Sequence, residues 1–443
     1  MKKFIQIDNK IGNLNKKIYV DGDKSLSIRW ALLASQAKGV SKAFNLLKSE
    51  DVFNTLTCLK KLGIKIKREK NIFFIRGNGL NGFSFKKNIV LNAGNSGTLG
   101  RLIIPLISLS PNKIKLIGDK SLSKRDFSRI IEPLKKLGVS FFPRNKKRLP
   151  LIIKGAKKIQ TINYLEKKGS AQCKTAIMFA SLNSNKKVSI KAKKSRNHTE
   201  ILFKHLKIPI KVSEAKAYDK IEISGKRDFK SFNYKIPGDI SSSAFFIALA
   251  ILTEKSKILL KNININPSRI GIVKILNMMG AKIKFKKIRI YKGEKIADIE
   301  AKSVKNLKAI NCPSNLNSSA IDEFLIIFLI ASVSKGVSHF KNLSELNKKE
   351  SKRLDWGYLI LKKMGVKVKK TKNYGLKIWG NPKLKLKRKI IIKDYLKDHR
   401  IFMATVIAAL SFGGNWKIYD PDSIQTSFPS FLKIIKKLGG KLN

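Results

Sequence analysis

The stretch Leu-Lys-Lys-Leu-Gly at residues 59–63 reads as the end of an amphipathic helix, and the chain repeats it. Related stretches lie at residues 134–138, 276–280, 361–365 and 435–439, and a degenerate copy at residues 203–208 lacks the glycine. Glycine directly after the last apolar turn is the expected C-cap, because it adopts the left-handed conformation without strain from a Cβ. Successive copies lie roughly 70 to 85 residues apart, which divides the chain into six units.

Each unit also contains an earlier, more apolar helix, opened by Ser, Asp, Asn or Gly residues that cap free backbone amides. We predict these helices at residues 25–37, 96–109, 171–182, 241–252, 322–334 and 399–412. Short β-prone segments separate the two helices of a unit, as at residues 113–117, 187–190 and 257–260, and alternating segments such as 64–67 and 72–75 follow the second helix. Each unit is therefore predicted to be βαβαββ, with one buried and one amphipathic helix.

The predicted fold class is α/β (α+β) with two domains of three units each, because 443 residues are too many for one ordinary core. Turn signals near residues 20–22 and 236–239 mark the crossings. One domain is predicted to span residues 22–237, and the other residues 1–21 plus 238–443. Helix starts that face a cleft between the domains would attract anions through free amides and helix dipoles.

The formal net charge of +65 raises the alternative of a nucleic-acid-binding protein, which would be retained on DNA or RNA in a salt-sensitive way. Lysine is, however, spread over every segment rather than gathered on one stripe, and it accompanies abundant Ile and Asn. Coding composition explains this distribution better than a nucleic-acid interface does.

Neither the apolar runs nor the cysteines and histidines suggest a membrane, disulfide or metal protein. The longest apolar run, residues 324–333, is shorter than the roughly 18 residues of a membrane helix. No signal sequence is recognisable, so a cytoplasmic protein is expected. Cys58, Cys173 and Cys312 are isolated and expected to be buried, and four scattered histidines form no metal cluster.

The polar residues at the predicted helix starts are the candidate site. Ser25 and Arg29 are four residues apart, hence on one face of the first helix, with Lys24 beside them. In the second unit, residues 92–98 open a helix with small residues, and Gly97 allows close approach of a ligand. Polar residues recur at the same register in other units: Ser170, Gln172, Ser195, Arg196, Asp322, Glu323, Lys349, Glu350, Arg353, Asp398, His399 and Arg400.

Together these motifs resemble the signatures of the 5-enolpyruvylshikimate-3-phosphate synthase family. The matching segments are Gly-Asp-Lys-Ser at 22–25 with Arg29, residues 92–98, Arg125, Ser-Ala-Gln at 170–172, Gly-Asp-Ile-Ser-Ser at 238–242, Asp-Glu at 322–323, Lys-Glu-Ser at 349–351 with Arg353, Asp-His-Arg at 398–400 and Thr-Ser-Phe-Pro at 426–429. The resemblance implies a two-domain inside-out α/β barrel, six βαβαββ repeats in total, with the active site in the interdomain cleft.

The resemblance also implies a reaction of the shikimate pathway. The enolpyruvyl group of phosphoenolpyruvate is transferred to the 5-hydroxyl of shikimate 3-phosphate, with release of phosphate and without metal or cofactor. The hydroxyl loses a proton while the enol carbon gains one, which requires acid/base groups among fixed positive charges. The expected partners are these two small molecules, with no nucleic acid and no membrane, and the enzyme is expected to be a monomer.

Roles for individual residues follow from their positions in the family's motifs. Proton transfer is implied for Asp322 and Glu350, assisted by Lys24 and Lys349. Binding of shikimate 3-phosphate is implied for Lys24, Ser25, Arg29, Ser170, Ala171, Gln172, Arg196, Asp322 and Lys349. Binding of phosphoenolpyruvate is implied for Lys24, Gly97, Arg125, Gln172, Arg353 and Arg400. Arginine suits both ligands, because guanidinium binds phosphate and carboxylate through paired hydrogen bonds.

The chain departs from the family pattern at four positions. Asp21 and Asp126 stand where proline is usual, which is expected to make both turns less rigid. Lys352 replaces a usual acidic residue and removes a potential partner of Arg353. Thr426 stands where some members have an active-site lysine.

Gly-Asp-Lys-Ser-Leu-Ser occurs twice, at residues 22–27 and 118–123. In repeat register the first copy opens an apolar helix, whereas the second follows a strand and precedes an amphipathic helix. The two copies are therefore not two examples of one site, and only Arg125 is assigned a role near the second.

The alternative enzyme is a UDP-N-acetylglucosamine enolpyruvyl transferase, which shares the fold. That family often uses a cysteine on a loop of the second unit, and no cysteine lies between Cys58 and Cys173. The shikimate-type motifs favour the synthase.

The resemblance generates a first prediction, about the inhibitor glyphosate. Glycine at position 97 is expected to leave room for glyphosate, which should compete with phosphoenolpyruvate. Gly97→Ala should weaken this competition, as measured by the inhibition constant at several phosphoenolpyruvate concentrations. Unchanged inhibition in the variant would contradict the placement of Gly97 in the phosphoenolpyruvate site.

Overall fold

The computed structural model describes residues 3–184, 186–224 and 227–443. These residues form two compact units. Unit A contains residues 22–236 and 291–294, and unit B contains residues 3–21, 237–290 and 295–443. Compared with the predicted domains, Pro237 lies in unit B and residues 291–294 lie in unit A.

The first two strands of the chain, β1 (Phe4–Ile7) and β2 (Asn15–Ile18), belong to unit B. Unit A then follows with three successive groups of elements. The first group is α1 (Lys24–Gln36), β3 (Lys38–Phe44), α2 (Glu50–Lys61), β4 (Lys65–Glu69) and β5 (Ile72–Asn78). The second is β6 (Val90–Asn92), α3 (Gly97–Leu106), β7 (Ile114–Ile117), α4 (Lys120–Ser123), α5 (Ser128–Lys136), β8 (Ser140–Phe142) and β9 (Leu151–Lys154). The third is β10 (Asn163–Glu166), α6 (Ala171–Ser181), β11 (Val188–Lys193), α7 (His198–His205), β12 (Ile210–Ser213), β13 (Tyr218–Ile223) and β14 (Asn233–Lys235).

The described part of unit A contains three four-stranded sheets. The strand orders are β14-β3-β5-β4, β6-β7-β9-β8 and β10-β11-β13-β12. In each of these orders the first two strands are parallel and the other neighbours are antiparallel. In the second sheet, for example, Leu116 of β7 lies opposite Leu91 of the parallel strand β6 and Leu151 of the antiparallel strand β9. Strand β14, at the end of the unit, supplies the first strand of the first sheet.

Unit B is built from the same pattern. Its first group after residue 236 is α8 (Ile240–Leu252), β15 (Lys257–Asn264), α9 (Gly271–Met278), β16 (Lys284–Tyr291) and β17 (Glu294–Lys302). The second is α10 (Asn317–Ala320), α11 (Phe324–Ala331), β18 (Val337–Phe340), α12 (Arg353–Lys363), β19 (Val368–Thr371) and β20 (Gly375–Trp379), and the third is β21 (Leu386–Ile392), α13 (His399–Phe412), β22 (Gly413–Tyr419) and α14 (Phe431–Lys437). Short 3₁₀ turns lie at Ser314–Leu316, Ser344–Lys348 and Pro421–Thr426.

The N-terminal segment completes two of the sheets of unit B. Strand β2 is parallel to β15 in the sheet β16-β17-β15-β2, and β1 is antiparallel to β22 in the sheet β1-β22-β21. In the sheet β18-β20-β19 the place of the first strand is taken by parallel bridges from Lys308 and Asn311. The predicted α/β class with repeated βαβαββ units is therefore confirmed.

The apolar helices form the centres of the two cores, as predicted. Every residue of α11 and α13 is buried, and every residue of α8 except Leu252. Two of the six helices are shorter than predicted. The helix expected at residues 96–109 spans Gly97–Leu106, and the helix expected at residues 322–334 spans only Phe324–Ala331, with a turn at residues 321–323 between it and α10. That turn holds Asp322 and Glu323. No helix within the described residues is long and apolar enough to cross a membrane.

The predicted glycine caps all adopt positive φ. The φ angles are 85° at Gly63, 101° at Gly138, 91° at Gly280, 79° at Gly365 and 97° at Gly439. In the degenerate copy, Lys207 occupies the glycine position and has a φ of 56°. Helix α7, in the third repeat, thus ends in the same way, but with a residue for which this conformation is sterically unfavourable.

This contrast predicts opposite effects for two substitutions. Gly280→Ala should lower the free energy of unfolding by about 1 kcal/mol, since its Cβ meets nothing closer than the Asn306 carbonyl at 3.5 Å and only the backbone conformation is penalised. Lys207→Gly should raise it by up to about 1 kcal/mol, because the side chain is exposed and the strain disappears. Urea unfolding of both variants measures this, and two changes of the same sign would contradict the assignment.

Candidate active site

The first turn of α1 brings Ser25 and Arg29 together. Asp23 caps the helix, its side chain accepting a hydrogen bond from the Leu26 amide at 2.9 Å. Arg29 is only 3% exposed, and its Nη1 donates to the Ser25 Oγ at 2.5 Å and to the Ser25 carbonyl at 3.2 Å. The predicted pairing of positions four apart on one helix face is therefore present.

Arg29 and Lys24 also connect α1 to other helices. Arg29 Nε donates to Thr199 Oγ1 at 2.9 Å, and its Nη2 lies 3.4 Å from Thr175 Oγ1. The two threonine hydroxyls are 2.8 Å apart. Lys24 Nζ donates to the Asp51 carboxylate at 3.1 Å, at the start of α2. The first repeat is thereby held to α6 and α7 by buried polar groups.

Arg101 links Gly97 and Gln172, and it was not among the residues predicted from the sequence. Its Nη1 donates to Gln172 Oε1 at 3.0 Å and to the Gly97 carbonyl at 3.4 Å, while Nη2 donates to the Asp126 carbonyl at 3.1 Å. Gln172 Nε2 in turn donates to Thr98 Oγ1 at 3.3 Å. The available signal was its spacing, because a residue four positions after Gly97 shares its helix face.

Arg125 lies on the other side of Gly97. Its Nη2 donates to Asn95 Oδ1 at 2.6 Å and to Ser121 Oγ at 3.4 Å. A Cβ on residue 97 would lie 2.9 Å from Arg101 Nη1 and 3.1 Å from Arg125 Nη1. Any larger residue at position 97 must therefore displace the ends of two guanidinium groups.

The remaining predicted residues of unit A lie at the starts of α6 and α7. Ser170 caps α6, its Oγ accepting a hydrogen bond from the Cys173 amide at 3.2 Å, and Ala171 is the first residue of the helix. Arg196 is half-buried just before α7. Helix α6 thus connects the predicted residues of all three repeats of unit A, through Gln172 and Thr175.

In unit B a single buried guanidinium binds three carboxylates. Arg353, the first residue of α12, is 2% exposed. Its Nε donates to Asp398 Oδ2 at 2.8 Å and its Nη2 to Asp398 Oδ1 at 3.2 Å. Nη2 also pairs with Glu350, and Nη1 lies 3.4 Å from Asp322 Oδ1. Asp398 was quoted in the sequence motif without a role, and it is the most buried partner of this arginine.

The mutual pairing controls the charges of this group. Burial opposes the charged form of Arg353, but Asp398 and Glu350 outweigh it and raise the arginine pKa above its ordinary value. Burial likewise acts against the charged form of Asp398, yet Arg353 holds the pKa of that carboxyl below its ordinary value. Both groups are therefore charged at neutral pH.

Two further cations surround Asp322. Lys349 Nζ is 3.2 Å from Asp322 Oδ1. Arg400 Nη1 donates to the Asp322 carbonyl at 2.8 Å and lies 3.7 Å from Glu323 Oε1. The structure thus brings together the predicted residues of the fifth and sixth repeats: Asp322, Lys349, Glu350, Arg353 and Arg400.

A second buried network supports the turn before α11, and of its members only Arg269 was not singled out from the sequence. Glu323 accepts a hydrogen bond from Ser241 Oγ at 2.5 Å. Arg269 donates from Nη2 to Ser241 Oγ at 2.8 Å and to Asp239 at 3.2 Å. The starts of α8 and α11 are therefore fixed to each other, which holds the neighbouring Asp322 in place.

Comparisons with known proteins agree with this geometry. Residues 9–435 match the family described as EPSP synthase (3-phosphoshikimate 1-carboxyvinyltransferase). The chain belongs to the EPSP synthase family.

Relatives of the EPSP synthase family match over almost their full length. A 3-phosphoshikimate 1-carboxyvinyltransferase from Caldicellulosiruptor bescii is 37% identical, covering 97% of this chain and 98% of the relative. One from Ruthia magnifica is also 37% identical, covering 100% and 99%. The solved EPSP synthase from Acinetobacter baumannii is 31% identical with a TM-score of 0.87, covering 100% of this chain and 99% of that one. An enolpyruvyl transferase from Streptomyces tendae, 11% identical with a TM-score of 0.76, shares the fold alone.

Two of the four departures from the EPSP synthase pattern, Asp21 and Asp126, accept side-chain hydrogen bonds. Asp21 accepts from Ser430 Oγ at 2.8 Å. Asp126 accepts from the Ser128 amide and hydroxyl, both at 2.7 Å. Partial burial acts against the charged form of Asp126, but the Ser128 hydrogen bonds hold its pKa below the ordinary value. These bonds give the two turns a restraint where the family has proline.

The other two departures lie beside the carboxylate cluster of unit B. Thr426 donates from Oγ1 to the Ser423 carbonyl at 2.9 Å and lies 3.3 Å from His399 Nδ1. Lys352 is exposed. The acidic partner expected to be missing next to Arg353 is supplied by Asp398 and Glu350.

The Arg353–Asp398 pair predicts a pH-dependent stability difference. Because the folded pKa of Asp398 is depressed, its contribution is complete above the unfolded value near 4 and is lost as pH falls through the folded value. Asp398→Asn should therefore lower the free energy of unfolding by about 3 kcal/mol at pH 7, and this deficit should shrink below about pH 4. Urea unfolding between pH 7 and pH 3 measures both.

Asp422→Asn is the matched control. Asp422 pairs with Lys397 at 2.9 Å but is 53% exposed, so its loss should change stability by less than about 0.5 kcal/mol at every pH. A deficit for Asp398→Asn that stays constant with pH would show that the buried charge is not its cause.

Proposed function

We propose that this chain is a 3-phosphoshikimate 1-carboxyvinyltransferase, which transfers the enolpyruvyl group of phosphoenolpyruvate to the 5-hydroxyl of shikimate 3-phosphate and releases phosphate. Membership of the EPSP synthase family supports the overall reaction. The observation that carries the residue assignment is the cluster of unit B, where Asp322 and Glu350 both contact the buried guanidinium of Arg353.

The addition step requires two proton transfers and a stabilised anion. The 5-hydroxyl loses its proton to a carboxylate as its oxygen bonds to C2 of phosphoenolpyruvate, while C3 gains a proton. Asp322 and Glu350 are the proposed proton-transfer residues, with Lys349, 3.2 Å from Asp322, and Lys24 assisting. Both carboxylates contact cations, which fix their positions for proton transfer to and from the substrates.

The elimination step reverses the proton transfer at carbon. The C3 methyl group of the tetrahedral intermediate loses a proton, and the C2–O bond to phosphate breaks with its electron pair leaving on phosphate. Neither step needs a metal or an organic cofactor. Fixed cations stabilise the negative charge that develops on the phosphate, and those proposed here are Lys24, Arg125, Arg353 and Arg400.

Binding roles are proposed along the same lines. Arg125 and Gly97 are adjacent, which supports a phosphoenolpyruvate contact by both, and Gln172 joins them through Arg101. The residues proposed for shikimate 3-phosphate are Lys24, Ser25, Arg29, Ser170, Ala171, Gln172, Arg196, Asp322 and Lys349. Because donor and acceptor must meet for reaction, the residues of both units are proposed to act on the same pair of molecules.

The proposed partners are these two small anions alone, since the chemistry joins them without a macromolecule. The enzyme is proposed to act as a monomer. A cytoplasmic location is supported by the buried free thiols of Cys58, Cys173 and Cys312, which are typical of a reducing compartment.

Phosphate release from phosphoenolpyruvate with shikimate 3-phosphate as acceptor tests the proposal. Asp322→Asn and Glu350→Gln should each lower kcat by about 10²- to 10⁴-fold through loss of proton transfer. Arg125→Ala should lower kcat/KM by about 10²-fold or more through loss of a fixed charge. Lys397→Gln, which removes an exposed ion pair, should leave the rate unchanged.

Two outcomes would overturn all or part of the proposal. One is phosphate release with UDP-N-acetylglucosamine but not with shikimate 3-phosphate, which would make the chain an enolpyruvyl transferase of different specificity. The other is full activity in both Asp322→Asn and Glu350→Gln, which would overturn the roles proposed for the two carboxylates while leaving the overall reaction in place.

A further inference from the structure

Lys174 and Glu200 form an ion pair that is almost completely buried inside unit A. Lys174 is 1% exposed and Glu200 5% exposed, and Lys174 Nζ lies 2.5 Å from Glu200 Oε1. The same Nζ lies 3.5 Å from the carbonyl oxygen of Ser195. A lysine is almost never buried to this degree without a partner. Lys174 therefore connects the first turn of α6 both to Ser195, in the segment before α7, and to Glu200, within α7.

Neighbouring residues anchor the start of α7 on two more sides. His198 Nδ1 is 2.6 Å from Glu294 Oε1, and both side chains are fully buried. Thr199 contacts Thr175 at 2.8 Å and accepts from Arg29 at 2.9 Å. Three consecutive residues of α7, from 198 to 200, are thus each held by a buried polar contact from a different side chain.

Residues proposed to bind shikimate 3-phosphate lie directly beside this pair. Gln172 is two residues before Lys174 on α6, and Arg196 follows Ser195, whose carbonyl Lys174 contacts. We infer that Lys174 and Glu200 are positioning residues, which hold the backbone of Arg196 against the first turn of α6 so that its guanidinium meets the anionic substrate. This inference rests on the proposed function, and it adds two residues that the motif roles leave out.

The ion pair is expected to contribute to the geometry of the site rather than to the stability of the fold. Replacing a buried ion pair by apolar groups of similar size is often neutral or stabilising, so stability alone is a weak explanation for keeping one. An apolar side chain at position 174 would fill the same space, but it would make no hydrogen bond to the Ser195 carbonyl. An arginine that binds phosphate must be placed to within a fraction of an ångström, because a displacement of about 1 Å can cost about 100-fold in rate.

The test uses two single variants and one double variant. Lys174→Met and Glu200→Gln each leave one buried polar partner unmatched, and both should lower the melting temperature and raise the KM for shikimate 3-phosphate about 10-fold or more. The KM for phosphoenolpyruvate should change less than about threefold. In the double variant Lys174→Met/Glu200→Leu neither a charge nor a side-chain polar group of the pair is left unpaired, so the melting temperature should recover while the KM for shikimate 3-phosphate stays raised.

Two controls separate positioning from general damage. Lys187→Met removes an exposed lysine that pairs with Glu222 at 2.7 Å in the same repeat, and it should change neither KM. Ile153→Ala truncates a fully buried strand residue of another sheet in unit A, and it should lower the melting temperature without a selective change in KM. A double variant with the KM of the unaltered enzyme would overturn the inference.

Hydrogen exchange of the full chain provides a readout that does not depend on activity. Amides 195–200 should exchange faster in the double variant than in the unaltered protein, and as in the unaltered protein in Lys187→Met. Unaltered exchange in the double variant would also overturn the inference. If the unaltered enzyme released no phosphate from its proposed substrates, the proposed function would fail, whereas the exchange measurement would still decide whether the pair holds this segment.

Discussion

The free amides at the first turn of a buried helix are the constraint from which the rest of this structure follows. The apolar helices of the repeats bury their length, so hydrogen-bonding partners for the first amides must come from short polar side chains. Asp23, Ser96, Ser170, Asp239 and Asp398 meet this need by accepting backbone hydrogen bonds. Polar chemistry is thereby concentrated at helix starts, where the residues of the candidate site lie.

Buried cations next to these starts fix the side chains relative to one another. Arg29, Lys174 and Arg353 are each almost fully buried, and each is bound to oxygen atoms of residues far away in sequence. A buried charge without a partner is strongly destabilising, so such a pair has one favourable arrangement. The charged groups of the site are therefore already ordered in the folded chain. Preorganised charges of this kind stabilise the charge that develops during the reaction.

Residues that act within one helical turn were predictable, and those that act across the fold were not. The spacing of Ser25 and Arg29 predicted a shared face, and they are hydrogen-bonded. The partner of Arg353 was not predictable, because Asp398 is 45 residues away in sequence. Arg101 lies one helical turn after Gly97, but its link to Gln172, 71 residues away, could not be predicted.

The amino-acid sequence by itself determined the helix caps, the period of the repeat and the apolar helices, because each depends on contacts within about four residues. Lys207, at the position where the other copies of the repeat have glycine, also adopts the left-handed conformation. Both copies of Gly-Asp-Lys-Ser-Leu-Ser form the same aspartate-capped helix start, with bonds of 2.9 and 2.7 Å. The two copies differ as their repeat register predicted, since the first begins a helix of 13 residues and the second a turn of 4 residues that precedes α5. Only the tertiary structure decided that β14 and β1 complete distant sheets, because strand pairing and buried ion pairs join residues that the local sequence cannot relate.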